Sequence, residues 1–353
     1  MSDVISDATL TPAVASPPPL VNGNGPNHRI ALRPGAGCTY IAFNTDAPTA
    51  AEASVGTTGN IVRFTDEVER FAYGVQGFAD SLDALICWLR DGSGELPMRL
   101  VGEGAGASLA LIGGILLPRV HFLAVNPCPS LAIGGDLALA HPFWGNVAAL
   151  GANHPSHQLG VTAISAWDPA GATILSRDEL LPPAFGTVIE LPCRGSGIAY
   201  LRRKNALSPL FEHGSDAVRE LRDGGVLERA QAYGTQRQFR AFHDANVALW
   251  AKGPSPRSLA MRLVEREAAW TNPGWQYLRA TVLRRERLLP EALAAASLAV
   301  ESGAGVVEFC VLYGRIAREV GDGDAAARAA QVLEPFLRQR GIPELRDSLL
   351  ALA

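Results

Sequence analysis

The 353-residue sequence is poor in charge, in cysteine and in long apolar runs, and each scarcity excludes a class of protein. Charged residues make up only 19% and the net charge is -4, which argues against a nucleic-acid-binding surface. The five cysteines are scattered without a Cys-x-x-Cys pair, so reduced thiols are expected rather than disulfides or zinc. No apolar run reaches the roughly 18 to 20 residues of a membrane span, and no basic segment precedes an apolar one at the N-terminus. We therefore expect a cytoplasmic protein without a metal or cofactor.

Three stretches of different composition divide the chain. Residues 1–28 are rich in Pro, Ala, Ser, Asn and Gly, which predicts a disordered tail. Residues 29–212 alternate short apolar runs with helical stretches, and this pattern predicts an α/β domain with a mainly parallel sheet. Helices are predicted over Gly77–Arg90, Ala105–Leu117 and Leu137–Leu150. Residues 213–353 have a wholly helical pattern, rich in Ala, Leu, Arg and Glu. The sequence therefore predicts an α/β domain followed by an all-α domain.

A period of 34 residues is visible in the helical stretch. A shift of 34 aligns apolar and small residues with one another: Ala280 with Gly314, Leu283 with Ala317, Ala292 with Ala326, Ala296 with Ala330 and Ala299 with Leu333. Small residues at this period are typical of tetratricopeptide repeats, which bind protein partners on a concave face. An ordinary helical bundle is the alternative, because Ala-rich helices align by chance.

The segment from Leu100 to Leu117 predicts a strand, a tight turn and a helix. In α/β-hydrolases this element reads G-x-S-x-G, and the turn exposes the nucleophilic serine. Here the turn reads Gly102-Glu-Gly-Ala-Gly106, so the nucleophile position is Gly104. Ser108 follows one helical turn later and is a weak candidate nucleophile.

The other two members of a hydrolase triad are expected after later strands. Asp168 ends the strand predicted from Val161 to Trp167 and fits the acid position, although an Asp-Pro turn explains it equally well. The loop after the last predicted strand, Cys193–Gly197, contains no histidine. His141 and His154 lie in loops elsewhere. Without an imidazole base no proton leaves a nucleophile, so we predict a hydrolase fold without hydrolysis.

Several short motifs resemble a group of bacterial α/β-hydrolase-like proteins. Residues Phe71–Leu85 resemble the run "WY..GI.G...S.D.L" of that group, whose elbow G-S-S-M-G-G corresponds to Gly102–Ala107. A strand ending in "PQ" corresponds to Leu123–Cys128, and the histidine-bearing run "GH...YL...G.L" corresponds to Arg194–Leu201 together with Asn205–Leu207. The resemblance covers residues 38–212.

The resemblance implies an α/β-hydrolase fold with a degenerate triad. Gly104 takes the place of the serine, and Gly195 or Ser196 takes the place of the histidine. Only Asp168 remains as a triad position. Such proteins are often encoded with capsule, exopolysaccharide or glycosyltransferase genes, and some carry tetratricopeptide repeats. The resemblance therefore implies a link to exopolysaccharide or envelope biosynthesis, with the glycan-synthesis machinery as partner.

Three functions stay open from the sequence. The first is an inactive scaffold or accessory protein that binds protein partners through its helical repeats. The second is an active esterase or deacetylase with a displaced triad, using Ser108 or Ser196 with His141 or His154. The third is a glycan-binding or small-molecule-binding module that uses the remnant cleft, for which the candidates are Gly102, Glu103, Gly104, Asp168 and Arg194.

Two further motifs are weaker. The turn also matches the dinucleotide fingerprint as Gly102-x-Gly104-x-x-Ala107, but no Asp or Glu occurs from Ala105 through Gly135 to bind a ribose. His154 and His157 have a spacing found in metal sites, but Pro155 between them favours an exposed loop.

Overall fold

An eight-stranded sheet followed by a run of helices makes up this computed structural model. It describes residues 23–25, 27–31, 36–43, 59–65, 82–92, 96–117, 120–127, 160–176, 186–229, 231–303 and 305–339. The strands are β1 Gly23–Asn24, β2 His28–Ala31, β3 Thr39–Phe43, β4 Asn60–Phe64, β5 Met98–Glu103, β6 Val120–Val125, β7 Val161–Ser165 and β8 Thr187–Leu191.

Twelve α-helices lie within these described ranges. They are α1 Leu82–Cys87, α2 Ala105–Leu116, α3 Pro169–Leu175, α4 Gly197–Arg203, α5 Leu207–His213, α6 Ser215–Asp223, α7 Gln236–Trp250, α8 Pro254–Arg266, α9 Pro273–Arg285, α10 Leu289–Ser302, α11 Val307–Val320 and α12 Gly323–Gln339. A π-helical turn, Trp88–Gly92, continues α1.

The sheet is parallel except at one edge, as the sequence predicts. Its strand order is β1-β2-β4-β3-β5-β6-β7-β8, and the strands from β4 to β8 in that order are parallel. The antiparallel edge consists of β1 and β2. Every residue of β3 and of β7 is buried, as expected for strands covered on both faces. The carboxyl ends of β5, β6, β7 and β8 therefore meet at one edge of the sheet.

Each face of the sheet has its own apolar core. Alternate residues of the strands point to opposite faces, so Phe43 and Leu100 pack with α2 while Val101 and Leu123 pack with α4 and α5. On the second face a buried carboxylate, Glu212, accepts a hydrogen bond from the Tyr40 hydroxyl at 3.0 Å and pairs with the Arg99 guanidinium. These contacts fix α5 against the sheet.

The helices from α9 onward form two pairs with the same spacing. Helix α9 begins at residue 273 and α11 begins at 307, and α10 begins at 289 and α12 at 323; both offsets are 34 residues. Alanines on these helices are fully or almost fully buried, among them Ala280, Ala292 and Ala296. A helical region after an α/β domain is confirmed.

A shared core joins the sheet to the helical region. Ile164 on β7 and Ala172 on α3 pack in one apolar cluster with Phe242 of α7 and Trp275 of α9. The buried Asn272 side chain caps α9 and donates from Nδ2 to the backbone oxygen of Ala166, at 3.0 Å. We call this boundary, formed by residues 164–175 and by Arg194 against α7 and α9, the seam.

Some predicted elements differ from the structure or lie outside the described residues. Strand β1 falls within the stretch predicted as a disordered tail, where Gly25 N donates to the His28 carbonyl oxygen at 2.9 Å. The described part of the helix predicted over Gly77–Arg90 begins at Leu82 and ends in the π-helical turn. The helix predicted over Leu137–Leu150, residues 1–22 and most of Phe71–Leu85 are not described. Among the described residues, no helix combines the length and apolarity needed to cross a membrane.

Candidate functional site

The sharp turn after β5, which we call the elbow, has a glycine at its apex and therefore no side chain there. Gly104 adopts φ 61° and ψ -125°, and α2 begins at the next residue. Residues other than glycine are strained in this conformation. Where they adopt it, they are often part of functional sites. A Cβ atom on Gly104 would meet no described atom within 4 Å, whereas one on Gly102 would lie 2.2 Å from the carbonyl oxygen of Gly106. Within the described ranges the apex is therefore open, and Gly104 itself projects no reactive group.

Ser108, the displaced candidate nucleophile, lies inside the protein. It is on α2, which packs against the sheet, and its exposed fraction is zero. Its hydroxyl is therefore shielded from solvent in the described structure.

Glu103 is engaged with the loop that follows β8. Its Oε2 accepts a hydrogen bond from Ser196 Oγ at 2.8 Å, and its Oε1 accepts one from the backbone N–H of Ile198 at 3.3 Å. Ser196 also caps α4, because its Oγ accepts from Ala199 N at 3.1 Å. A carboxylate next to the amino end of a helix is electrostatically favourable. The Glu103 carboxylate, next to the apex, thus holds the loop after β8 in place. This is the loop in which the sequence resemblance would place a catalytic histidine.

Asp168 also contacts that loop, but its first role is to cap a helix. Its Oδ1 accepts from Ala170 N at 2.9 Å at the start of α3, and its Oδ2 accepts from Gly195 N at 3.5 Å. The structure thereby brings Asp168, Gly195 and Ser196 to the same edge of the sheet. Where an acid would orient an imidazole, Asp168 meets a backbone N–H instead.

Asn126 completes this hydrogen-bonded edge. It follows β6 with φ 51°, and its amide exchanges two hydrogen bonds with Ser165: Nδ2 donates to Ser165 Oγ at 2.9 Å, and Ser165 N donates to Oδ1 at 2.7 Å. Its Nδ2 also lies 3.4 Å from the Gly195 carbonyl oxygen. Sequence reasoning missed this residue, although its place directly after a buried strand was a usable signal.

Cys193 is a poor nucleophile in this environment. It is buried, and its Sγ lies 3.1 Å from Ser165 Oγ. Burial raises the pKa of the thiol to about 11, so it stays protonated near neutral pH. Because the thiolate is the reactive form, this environment disfavours a nucleophilic role for Cys193.

The histidines in the described part of the chain do not supply the absent base at its expected position. His28 and His121 lie on strands, His213 ends α5, and His243 Nδ1 lies 2.9 Å from Thr173 Oγ1 on α3. Burial lowers the pKa of both His28 and His121. His141, His154 and His157 are outside the described residues.

Arg194 belongs to the seam rather than to the apex. Its guanidinium carbon lies 4.4 Å from the centroid of the Tyr277 ring and 5.7 Å from that of Phe309, which is cation–π geometry. Its buried Nη1 has no hydrogen-bond acceptor among the described residues. Arg194 and Asp168 both line a cavity of about 350 Å³ next to α7 and α9. The predicted cleft is thus divided, because Gly102, Glu103 and Gly104 do not line this cavity.

Neither a metal site in the described ranges nor a similarity to known proteins assigns a function to these residues. No group of three His, Cys, Asp or Glu side chains suited to a metal ion occurs in the ranges that the structure describes. Comparison of the chain with protein-family models and with curated proteins gives no match. The functional proposal therefore rests on the chemistry and geometry of the side chains themselves.

Proposed function

We propose that the protein is a catalytically inactive α/β-hydrolase-like domain joined to a tetratricopeptide-like helical region, and that it acts as a scaffold for protein partners. The observation that carries the proposal is the apex at Gly104, where an elbow backbone presents no nucleophile. Both carboxylates at this edge already accept hydrogen bonds from the loop after β8. Neither carboxylate contacts an imidazole among the described residues.

The helical half supplies the surface for partners in this proposal. The 34-residue offsets between α9 and α11 and between α10 and α12 equal the period of a tetratricopeptide repeat. Buried alanines at the helix contacts suit the close packing of such repeats. Because α9 shares a core with β7 and α3, the sheet serves as the base of these helices in the proposal.

Envelope or exopolysaccharide biosynthesis is the setting we propose for this scaffold. This part rests on the resemblance of residues 38–212 to hydrolase-like proteins encoded with capsule genes. The neighbouring genes test it: sugar-nucleotide or glycan-synthase genes support the setting, and their absence from several related genomes counts against it.

Ester hydrolysis by the full chain tests the loss of catalysis. We expect no turnover above the buffer rate on a broad panel of acyl and acetyl esters, for the native chain and for Asp168→Asn alike. Turnover that Asp168→Asn abolishes would establish the displaced-triad enzyme and refute the scaffold.

A further inference from the structure

A groove lies where the end of α7 meets α8 and α9. Its volume is about 330 Å³, and its lining residues come from two stretches of the chain, 248–260 and 282–286. Its floor is apolar and recessed, because the side chains that form it are small or almost fully buried: Ala248, Leu249, Ala260 and Val282. We call it the α7–α9 groove. An apolar side chain of another molecule that entered it would meet apolar atoms, which favours its burial there.

Trp250 lies next to this groove and is open to solvent. It is 68% exposed, more than any other large apolar residue in the described ranges. Its chain neighbours Leu249 and Ala251 both line the groove, and the guanidinium carbon of Arg285, a third lining residue, lies 5.0 Å from the centroid of its ring. Arg285 also donates a hydrogen bond to the Leu249 carbonyl oxygen. Trp and Arg are enriched among the residues that dominate binding energy at protein interfaces, so the pair forms an accessible anchor for a partner.

The groove has an excess of positive charge. The two lining stretches contain four basic residues and one acidic residue, in a chain whose net charge is -4. Ion pairs balance two of the four, joining Arg257 to Glu286 and Arg284 to Glu319. Lys252 and Arg285 are exposed and have no ion-pair partner among the described residues. The Arg257 side chain also stays 62% exposed. Carboxylates of a partner can reach these three cations, and charge complementarity therefore favours an acidic partner.

We propose that the α7–α9 groove docks an acidic segment of a protein partner, in which an apolar side chain packs on Trp250 and enters the groove while neighbouring carboxylates bind Arg257 and Lys252. This docking site rests on the proposed scaffold function, to which it adds a surface and a partner chemistry. A guanidinium binds a carboxylate through two parallel hydrogen bonds, which suits Asp or Glu of a peptide. A membrane surface fits less well, because a flat layer of headgroups would touch Trp250 but would not fill the recessed floor.

Selection of peptides from a random library displayed on phage, with the immobilised full chain as target, tests the site. We expect the enriched peptides to carry a net negative charge and at least one aromatic or large aliphatic residue. Fluorescence anisotropy of the most enriched peptide, labelled with fluorescein, then measures its affinity. That affinity should fall as sodium chloride is added, because salt screens ion pairs between exposed groups.

Two single variants at exposed positions locate the binding. Trp250→Ser removes the apolar anchor and should weaken binding of this peptide about tenfold or more. Arg257→Gln removes one charge from the groove and should weaken binding about threefold at low salt, and less at high salt. Leu298→Ser is the matched control: it removes a 38% exposed apolar side chain from α10, outside the groove, and should leave the affinity within about twofold. All three positions are exposed, so the variants should keep the native circular dichroism spectrum.

Acidic peptides whose binding is weakened by Trp250→Ser support the site. Absence of enriched peptides, peptides without an acidic bias, or unchanged affinity in both variants overturns it. In the last case the peptides bind another surface, so the scaffold proposal stands while this site falls; ester turnover by the full chain remains the separate test of that proposal. Sedimentation of the native chain with phosphatidylserine vesicles, lost in Trp250→Ser, would overturn the peptide partner in favour of a membrane surface.

Discussion

The elbow and the seam lie at the same edge of the sheet, and they differ in what their polar groups do. At the elbow, Glu103 and Ser196 satisfy each other, and Gly104 contributes only backbone. At the seam, the aromatic rings hold Arg194 in place, yet one of its nitrogens has no acceptor among the described residues. The comparison indicates that hydrogen bonds within the protein satisfy the polar groups of the elbow, whereas the seam holds a buried donor without an acceptor in the described ranges.

The largest loss of stability is expected from a substitution that adds an atom to the tightly packed seam. Gly274 is the second residue of α9, and a Cβ atom there would lie 2.0 Å from the backbone oxygen of Trp167. Gly274→Ala should therefore lower the free energy of unfolding by about 3 kcal/mol, at the upper end of the overpacking range. Thermal and urea denaturation measure the change. The control Gly323→Ala, where a Cβ meets no described atom within 4 Å, should change stability by about 0.5 kcal/mol or less. Equal losses of stability in the two variants would contradict the close packing of α9 against Trp167 at the seam.

Removal of the Asn272 side chain should have the next largest effect. Asn272→Ala loses the cap on Trp275 N and both Nδ2 donations, to Ala166 O and Tyr233 O, so we expect a loss of about 2 kcal/mol. Asn272→Ser keeps a capping oxygen and loses the donations, so about half of that loss should remain. Thermal and urea denaturation of both variants measure these losses. A serine variant as stable as the native chain would show that the hydrogen bond to Ala166 contributes nothing.

A serine introduced at position 104 tests whether the elbow can support catalysis. Gly104→Ser places its Cβ in open space but forces φ 61° on a residue with a side chain, so it should cost about 1 kcal/mol. Ester turnover should stay absent, because the loop after β8 offers no imidazole. Gly106→Ser is the control: its Cβ would lie 2.4 Å from the Phe43 carbonyl oxygen, and it should cost about 3 kcal/mol. Turnover by Gly104→Ser would reveal a base outside the described residues.

The smallest effect is expected away from both regions, in the ion pair between α9 and α11. Arg284 Nε lies 2.9 Å from Glu319 Oε1, and the hydrogen bond from Arg284 holds the pKa of Glu319 below its usual value near 4.5. A lowered carboxyl pKa contributes stability above about pH 4.5 that is lost as the pH falls through the folded-state pKa. Glu319→Gln should cost about 0.5 kcal/mol at pH 7 and nothing at pH 2. A cost that persists at pH 2 would show that packing, rather than charge, stabilises this contact.

The sequence predicted the elements that local patterns encode. Apolar runs predicted the parallel strands, and the glycine-rich turn after Val101 predicted the elbow and α2. Arg194 was predicted only as a candidate for the cleft, since its contact with Tyr277 joins segments 83 residues apart whose packing no local pattern specifies. The bond between Glu103 and Ser196 was equally hidden, because it depends on the register of β5 and β8 within the sheet. The contact of Asn272 with Ala166 was hidden for the same reason, because the two residues are 106 positions apart in the chain.

Reaction with a fluorophosphonate, followed by the intact mass of the full chain, tests the loss of catalysis most directly. This reagent labels an activated serine wherever it lies, including Ser108 and Ser196. The account predicts an unmodified mass after prolonged incubation for the native chain and for Asp168→Asn. A single adduct that forms on the native chain and is lost in Asp168→Asn would contradict it.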